Sequence, residues 1–149
     1  MQLEGTFEVK ASQLEAFRFL IDPTRLGRHM PDVQEVHVED ENNFTLMAKV
    51  GVSHIKGTMA MKLRLVEKQE PVSAKLVGKG SGLASVVDMV TCFTLEDAGG
   101  GLTRIRWQGE ATIGGKLAAL GGGLMERLAK KKLEKFVAGI QAGIDTPEA

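Results

Sequence analysis

The sequence predicts an α+β fold in which a curved antiparallel sheet is covered by one long C-terminal helix. Three observations predict it. Residues 3–9 alternate between apolar and polar, further alternating stretches between 36 and 113 are separated by short turns, and residues 114–144 contain no proline and carry apolar residues at helical spacing. Period-two alternation marks strands with one buried face, and short connections make sequence neighbours pair antiparallel. The sheet has a single face to bury, and the terminal helix is the only large element available to cover it. The 149 residues read as one domain, 1–149, without repeat or linker.

The elements follow in order. Leu3, Gly5, Phe7 and Val9 form the inner side of the first strand. Ser12 with Glu15 three residues later is a capping box, which satisfies free amides at a helix start. Leu14, Phe17, Leu20 and Ile21 share one face of that helix. Asp22-Pro23 ends it, because the residue before proline avoids helical backbone angles. Residues 24–29 form one more helical turn, closed by Pro31. Val36 and Val38 lead to a polar turn at 40–43, and Phe44, Leu46, Ala48 and Val50 alternate after it. Ile55, Gly57, Met59, Met61, Leu63 and Leu65 then oppose His54, Lys56, Thr58, Lys62 and Arg64. Residues 73–79 return, 80–82 turn again, and 84–95 pair with 102–113 across a turn at 97–101. In the terminal helix Leu117, Leu120, Leu124 and Leu128 lie on one stripe. Leu133, Phe136, Val137, Ile140 and Ile144 lie on another, rotated well away. Gly121, Gly122 and Gly123 mark the cheapest break, so a short helix, a glycine hinge and a main helix are expected.

Composition narrows the function. Lysine plus arginine equals aspartate plus glutamate, 19 against 19, which disfavours a nucleic-acid partner. Cys92 is the sole cysteine, so neither an internal disulfide nor a cysteine-rich metal site is expected. The N-terminus has no basic region followed by an apolar run, and no stretch approaches the ~18–20 apolar residues that span a bilayer. A cytoplasmic protein is expected.

No catalytic or metal constellation emerges, and no cofactor is assigned. His29, His37 and His54 fall on three elements without ligand spacing, and alternation turns His37 and His54 to solvent. Val87, Met89, Thr91, Phe93 and Leu95 suit the inner face, which places Asp88 outside. Gly78-Lys79-Gly80-Ser81-Gly82 precedes a strand, whereas a phosphate loop must open a helix, so it reads as a hairpin turn. Cys92 has no base partner in view.

What remains is a binding reading. Eighteen glycines, seven methionines, one tryptophan and no tyrosine are compatible with an apolar cavity under the helix, and equally with an ordinary core. Strand parity assigns Met59, Met61, Met89, Phe93 and Trp107 to its lining, with Leu124, Met125 and Leu128 from the helix. Met30, Pro31 and Leu120 fall near the entrance. Arg127, Lys130, Lys131, Lys132 and Lys135, diluted by Glu126 and Glu134, read as a solvated face. The Leu117 stripe has four open partners: the 22–31 segment, a second copy in a homodimer, the cavity as its lid, or a membrane surface in peripheral contact.

Several segments carry a resemblance. Met1-Gln2-Leu3-Glu4-Gly5-Thr6-Phe7, the Asp22-Pro23 helix end, Met30-Pro31 with Val36 beyond it, and Ile113-Gly114-Gly115-Lys116-Leu117-Ala118-Ala119-Leu120-Gly121 resemble the CoxG family of carbon monoxide dehydrogenase subunits. That family belongs to the START-like, or SRPBCC, superfamily with the helix-grip fold. The resemblance implies a seven-stranded sheet around the last helix and an apolar pocket between them. It also implies a non-catalytic protein accessory to a molybdenum-containing CO dehydrogenase, associated with the membrane and with lipid-like or quinone ligands. A cyclase/aromatase-like enzyme using the same cavity, and an adaptor recruiting a partner enzyme through the helix, are the alternatives. Two departures stand out: Asp32 where the family commonly has glycine, which puts a carboxylate at the pocket mouth, and a chain ending at Ala149 without the C-terminal extension that some members use for membrane attachment.

Overall fold

The computed structural model describes residues 1–30 and 32–145. Seven antiparallel strands form one sheet: β1 (Gln2–Val9), β2 (Val33–Val38), β3 (Asn43–Val52), β4 (Ile55–Gln69), β5 (Ser73–Gly82), β6 (Ser85–Gly99) and β7 (Leu102–Gly115). Their order across the sheet is β1-β7-β6-β5-β4-β3-β2. Strands β2 to β7 are thus a meander of hairpins, and β1 closes the far edge beside β7. Two short helices, α1 (Gln13–Leu20) and α2 (Pro23–Arg28), bridge β1 to β2, and α3 (Gly122–Asp145) is the last element of the described residues.

Local chemistry sets the boundaries. Ser12 caps α1, its side chain accepting from the Glu15 amide at 3.2 Å. Asp22 does the same for α2, accepting from the Thr24 and Arg25 amides with Pro23 in the first turn, so one dipeptide both ends α1 and starts α2. At the β2–β3 turn the Asp40 carboxylate accepts from the Asn43 side-chain amide and from the Asn42 and Asn43 backbone. These bonds, the Asn43 side chain first, hold its pKa below the usual carboxylate value.

Curvature comes from length and bulges. Strands β4 and β6 are 15 residues and β7 is 14, and register shifts occur between Val66 and Gln69 and between Asp97 and Gly99. A bulge adds an unpaired residue, bending the strand and tightening its twist. Glu67, inside the first shift, has φ 52°. The concave face holds the core at one end, where Phe17 and Phe19 of α1 pack with Val9, Leu65, Leu95, Ile105 and Ile140.

Two boundaries differ from expectation. Gly80, Ser81 and Gly82 belong to β5, and the turn falls on Leu83 and Ala84, with φ 54° and 53°. A two-residue hairpin demands this left-handed pair, and here it is met without glycine or asparagine. Gly78 faces inward instead, because a Cβ there would meet Met89 Cγ at 2.9 Å. The terminal helix also starts later than 114. Gly114 and Gly115 complete β7, residues 118–120 make a 3-10 turn, Gly121 (φ 94°) breaks direction, and Gly122 and Gly123 already belong to α3. The expected break before a main helix is present, at a single glycine.

Helix α3 is fastened at its two ends. Near its C-terminus, Gly139 lies so close to the His29 carbonyl that a Cβ would overlap that oxygen, and a Cβ on Gly143 would meet His29 Cδ2 at 2.6 Å and Phe19 Cζ at 2.7 Å. Gln141 donates to the Glu8 carbonyl at 3.0 Å, and Asp145 accepts from the Lys10 amide at 3.0 Å. Ahead of its N-terminus the buried Ser85 hydroxyl accepts from the Leu117 amide at 2.9 Å and donates to the Leu83 carbonyl. Between these anchors the helix stands off the sheet: of its residues, only Ile140 and Gly143 are buried.

Gly139→Ala tests the close approach. Helix propensity alone would stabilise the variant by up to about 1 kcal/mol, whereas overpacking costs about 1–3 kcal/mol. Urea unfolding should show a net loss of stability; a gain would mean that α3 is not held against His29.

Candidate functional site

Between the concave sheet and the free span of α3 lies a cavity of about 560 Å³. Its floor is built by inward residues of every strand, among them Leu3 and Phe7 of β1, Leu46 and Ala48 of β3, Met61 and Leu63 of β4, Met89 and Phe93 of β6, and Trp107 and Ala111 of β7. Its roof is α3: Met125, Leu128, Ala129, Lys132, Leu133, Phe136, Val137 and Ile140. Those positions advance by three and four, so the roof is one continuous helical face. The two-stripe expectation fails here because Ala129 and Lys132 interrupt the face in hydrophobicity, though not in geometry.

Five lining residues carry polar side chains: Asp32, Lys49, Thr91, Glu110 and Lys132. Asp32 and Lys132 form an ion pair that joins the segment ahead of β2 to α3 across the mouth. Both are partly exposed, at 34 % and 51 % of their side-chain surface, so the pair sits at the rim. Asp32 adopts φ 69°, a conformation that costs a non-glycine residue energy, and its carbonyl accepts from the Lys49 amide at 2.7 Å. The carboxylate is thus held at the mouth by backbone pairing with β3.

Most of the predicted lining is brought together. Met30, Met61, Met89, Phe93, Trp107, Met125 and Leu128 all border the cavity. Met59, Leu120 and Leu124 do not. Met59 is buried in a second cluster with Ile55 and Leu117, against which Leu120 also packs and of which Leu117 reaches the cavity. That cluster takes the first half of the Leu117 stripe: Leu117 and Leu120 precede α3 and fill one end of the sheet, whereas Leu128 belongs to the roof. Leu124 lies half-buried on α3, off the roof face. Pro31 lies outside the described residues. Sequence reasoning missed Ala48, Ala129, Leu133, Phe136 and Val137 as lining; the last three were visible only as a core stripe.

The other candidates fall elsewhere. His37, His54, Asp88 and Cys92 are exposed. His29 packs against the Phe19 ring at 5.9 Å between α2 and α3, where it shapes the helix contact. Among the described residues no three His, Cys, Asp or Glu side chains converge to hold a metal, and no helix is long and apolar enough to cross a membrane.

Comparison with known families completes the picture. The model of the carbon monoxide dehydrogenase CoxG subunit family matches residues 5–145. The chain belongs to this family. A conserved protein from Geobacillus kaustophilus superposes with a TM-score of 0.88 at 23 % identity, over 97 % of this chain and 95 % of that one. A START superfamily protein from Mycobacterium smegmatis gives 0.73 at 12 % identity, with 96 % of each chain covered. The di-domain ARO/CYC StfQ of the steffimycin biosynthetic pathway gives 0.62 at 10 % identity, over 96 % of this chain and 44 % of that one. At these identities the likeness is one of fold, and the fold is START-like. A search of curated protein sequences gave no match. CoxG membership and a START-like fold together point to a ligand-binding or accessory role.

The ion pair at the mouth yields a prediction. A double-mutant cycle with Asp32→Asn and Lys132→Met should give a coupling of about 1 kcal/mol or less, because both partners remain solvated. A coupling several times larger would show that the pair is a structural keystone of the fold.

Proposed function

We propose that this CoxG-family chain is a non-catalytic accessory protein that holds an apolar molecule, lipid-like or quinone-like, between its sheet and α3. The observation that carries the reading is the cavity itself. Its volume lies within the ~300–1,000 Å³ of small-molecule sites, and its charged groups are confined to the rim. Such a site binds by removing apolar surface from water, about 25 cal/mol per Å². Thr91 supplies the one hydroxyl side chain of the lining, which suits orientation of a ligand better than acid–base work. A cyclase-type reaction would need a proton-transferring group inside; Asp88 lies on the outer side, and Asp32 is paired with Lys132 at the rim. The family name supports a molybdenum-containing CO dehydrogenase-type enzyme as the partner. In this reading the chain works in the cytoplasm, at or near the inner face of the membrane.

Extraction, ligand-induced stabilisation and tryptophan emission test the proposal. Organic extraction of the purified protein followed by mass spectrometry should release a lipid or quinone. Added back at about 100 times its Kd, that molecule should stabilise the fold by about 2.7 kcal/mol and raise Tm by about 5–10 °C. Ala129→Trp, which projects an indole from the roof into the cavity, should abolish both effects while leaving the circular dichroism unchanged. Trp107 is the sole tryptophan and lines the cavity, so a bound quinone should also quench the protein's emission. Protein that releases nothing and shows neither a Tm shift nor quenching with quinones and fatty acids would refute the reading.

A further inference from the structure

A second cavity, about 450 Å³, runs along the opposite flank of α3, in the groove between that helix and the edge strand β1. Lys130, Glu134, Ala138 and Gln141 line it from α3, and Glu4, Gly5 and Thr6 line it from β1. The partition from the main cavity is common to both: Leu3, Phe7, Trp107, Leu133 and Val137 border each. None of the five is charged, and the Trp107 indole N–H is the one polar group among them.

Trp107 is the central piece of this partition. Its indole lies over Gly5, where a Cβ would sit 2.8 Å from both Cζ2 and Nε1 of the ring. The absence of a side chain at Gly5 lets the ring lie across β1 instead of projecting into either space. Opposite it, Leu133 and Val137 belong to the part of α3 that is not buried against the sheet. A wall built of side-chain tips on a free helical span can part by rotamer changes, on picosecond to nanosecond timescales, and by a small shift of the helix, on microsecond to millisecond ones.

We propose that the two cavities act as one channel beneath α3, with its head at the Asp32–Lys132 rim and its tail end in the β1–α3 groove. This rests on the reading that the main cavity holds an apolar ligand, and it specifies the class: a flexible, acyclic chain carrying one polar end. A rigid polycyclic molecule is stopped at Trp107, whereas a chain one methylene wide threads past it. The far groove is apolar on its inner wall and bordered by Glu4, Lys130, Glu134 and Gln141, so a tail reaching it stays covered up to the solvent boundary.

Isothermal titration of the delipidated full chain with saturated fatty acids of 8 to 18 carbons tests this, run in parallel on Ala138→Trp and Glu134→Trp. Ala138 and Glu134 border the second cavity but not the first. For the unmodified chain, affinity should rise about fourfold per added methylene through the long members of the series. The two variants should match it for the shortest chains and stop gaining at a shorter length. Identical length dependence in all three proteins overturns the channel while leaving the apolar-ligand reading intact. Failure of every chain length to bind overturns the channel, and it overturns the apolar-ligand reading as well only where quinones also leave Tm and the Trp107 emission unchanged. Having two variants on separate helical positions guards against one of them misfolding.

Discussion

The structure depends on how closely α3 approaches α2. Gly139 and Gly143 have no room for a side chain against His29 and Phe19, so the C-terminal end of the helix is fixed at backbone distance. The other end is tied through Leu117 to Ser85 on the sheet. A 24-residue helix is a nearly straight rod of about 36 Å, and the sheet beneath it is strongly bent. A rod laid across a concave surface and fastened at its ends cannot follow that surface between them. The cavity is therefore a consequence of anchor placement rather than of missing side chains.

This geometry has an energetic implication. At about 24 cal/mol per Å³, a dry void of this size would cost about 13 kcal/mol, comparable to the whole stability of an ordinary domain. A fold of this kind tolerates such a space when something fills it. Because the lining is apolar and its charges sit at the rim, water is a poor filler and an apolar molecule a good one. In the proposed reading folding and ligand binding are coupled through one volume, roofed by a helix of which only Ile140 and Gly143 are buried.

Much of this was legible in the sequence. Strand parity placed Met61, Met89, Phe93 and Trp107 on the inner face, and they border the cavity. The Ser12–Glu15 capping box located α1 and Asp22-Pro23 marked its end, whereas the second use of Asp22, as the cap of α2, shows only in the structure. The failures have physical causes. Parity gives a face but not a position along it, so Met59, although inward, ends in the second cluster with Ile55 and Leu117. The Leu83–Ala84 turn carries no glycine or asparagine, which left the Gly80-Ser81-Gly82 segment as the more plausible turn. The roof was split because Lys132 looked like a solvent residue; its partner Asp32 lies 100 positions away in sequence, and nothing local announces the pair. The close packing at Gly139 and Gly143 was equally invisible, since glycines inside a helix read only as weak points.

Xenon binding measures the central claim most directly, because xenon enters apolar space without requiring the natural ligand. Crystals of the delipidated protein under xenon pressure should show ordered xenon between Met61 on the sheet and Leu128 and Phe136 on α3. Interlocked side chains at that location, with no xenon admitted, would contradict the account.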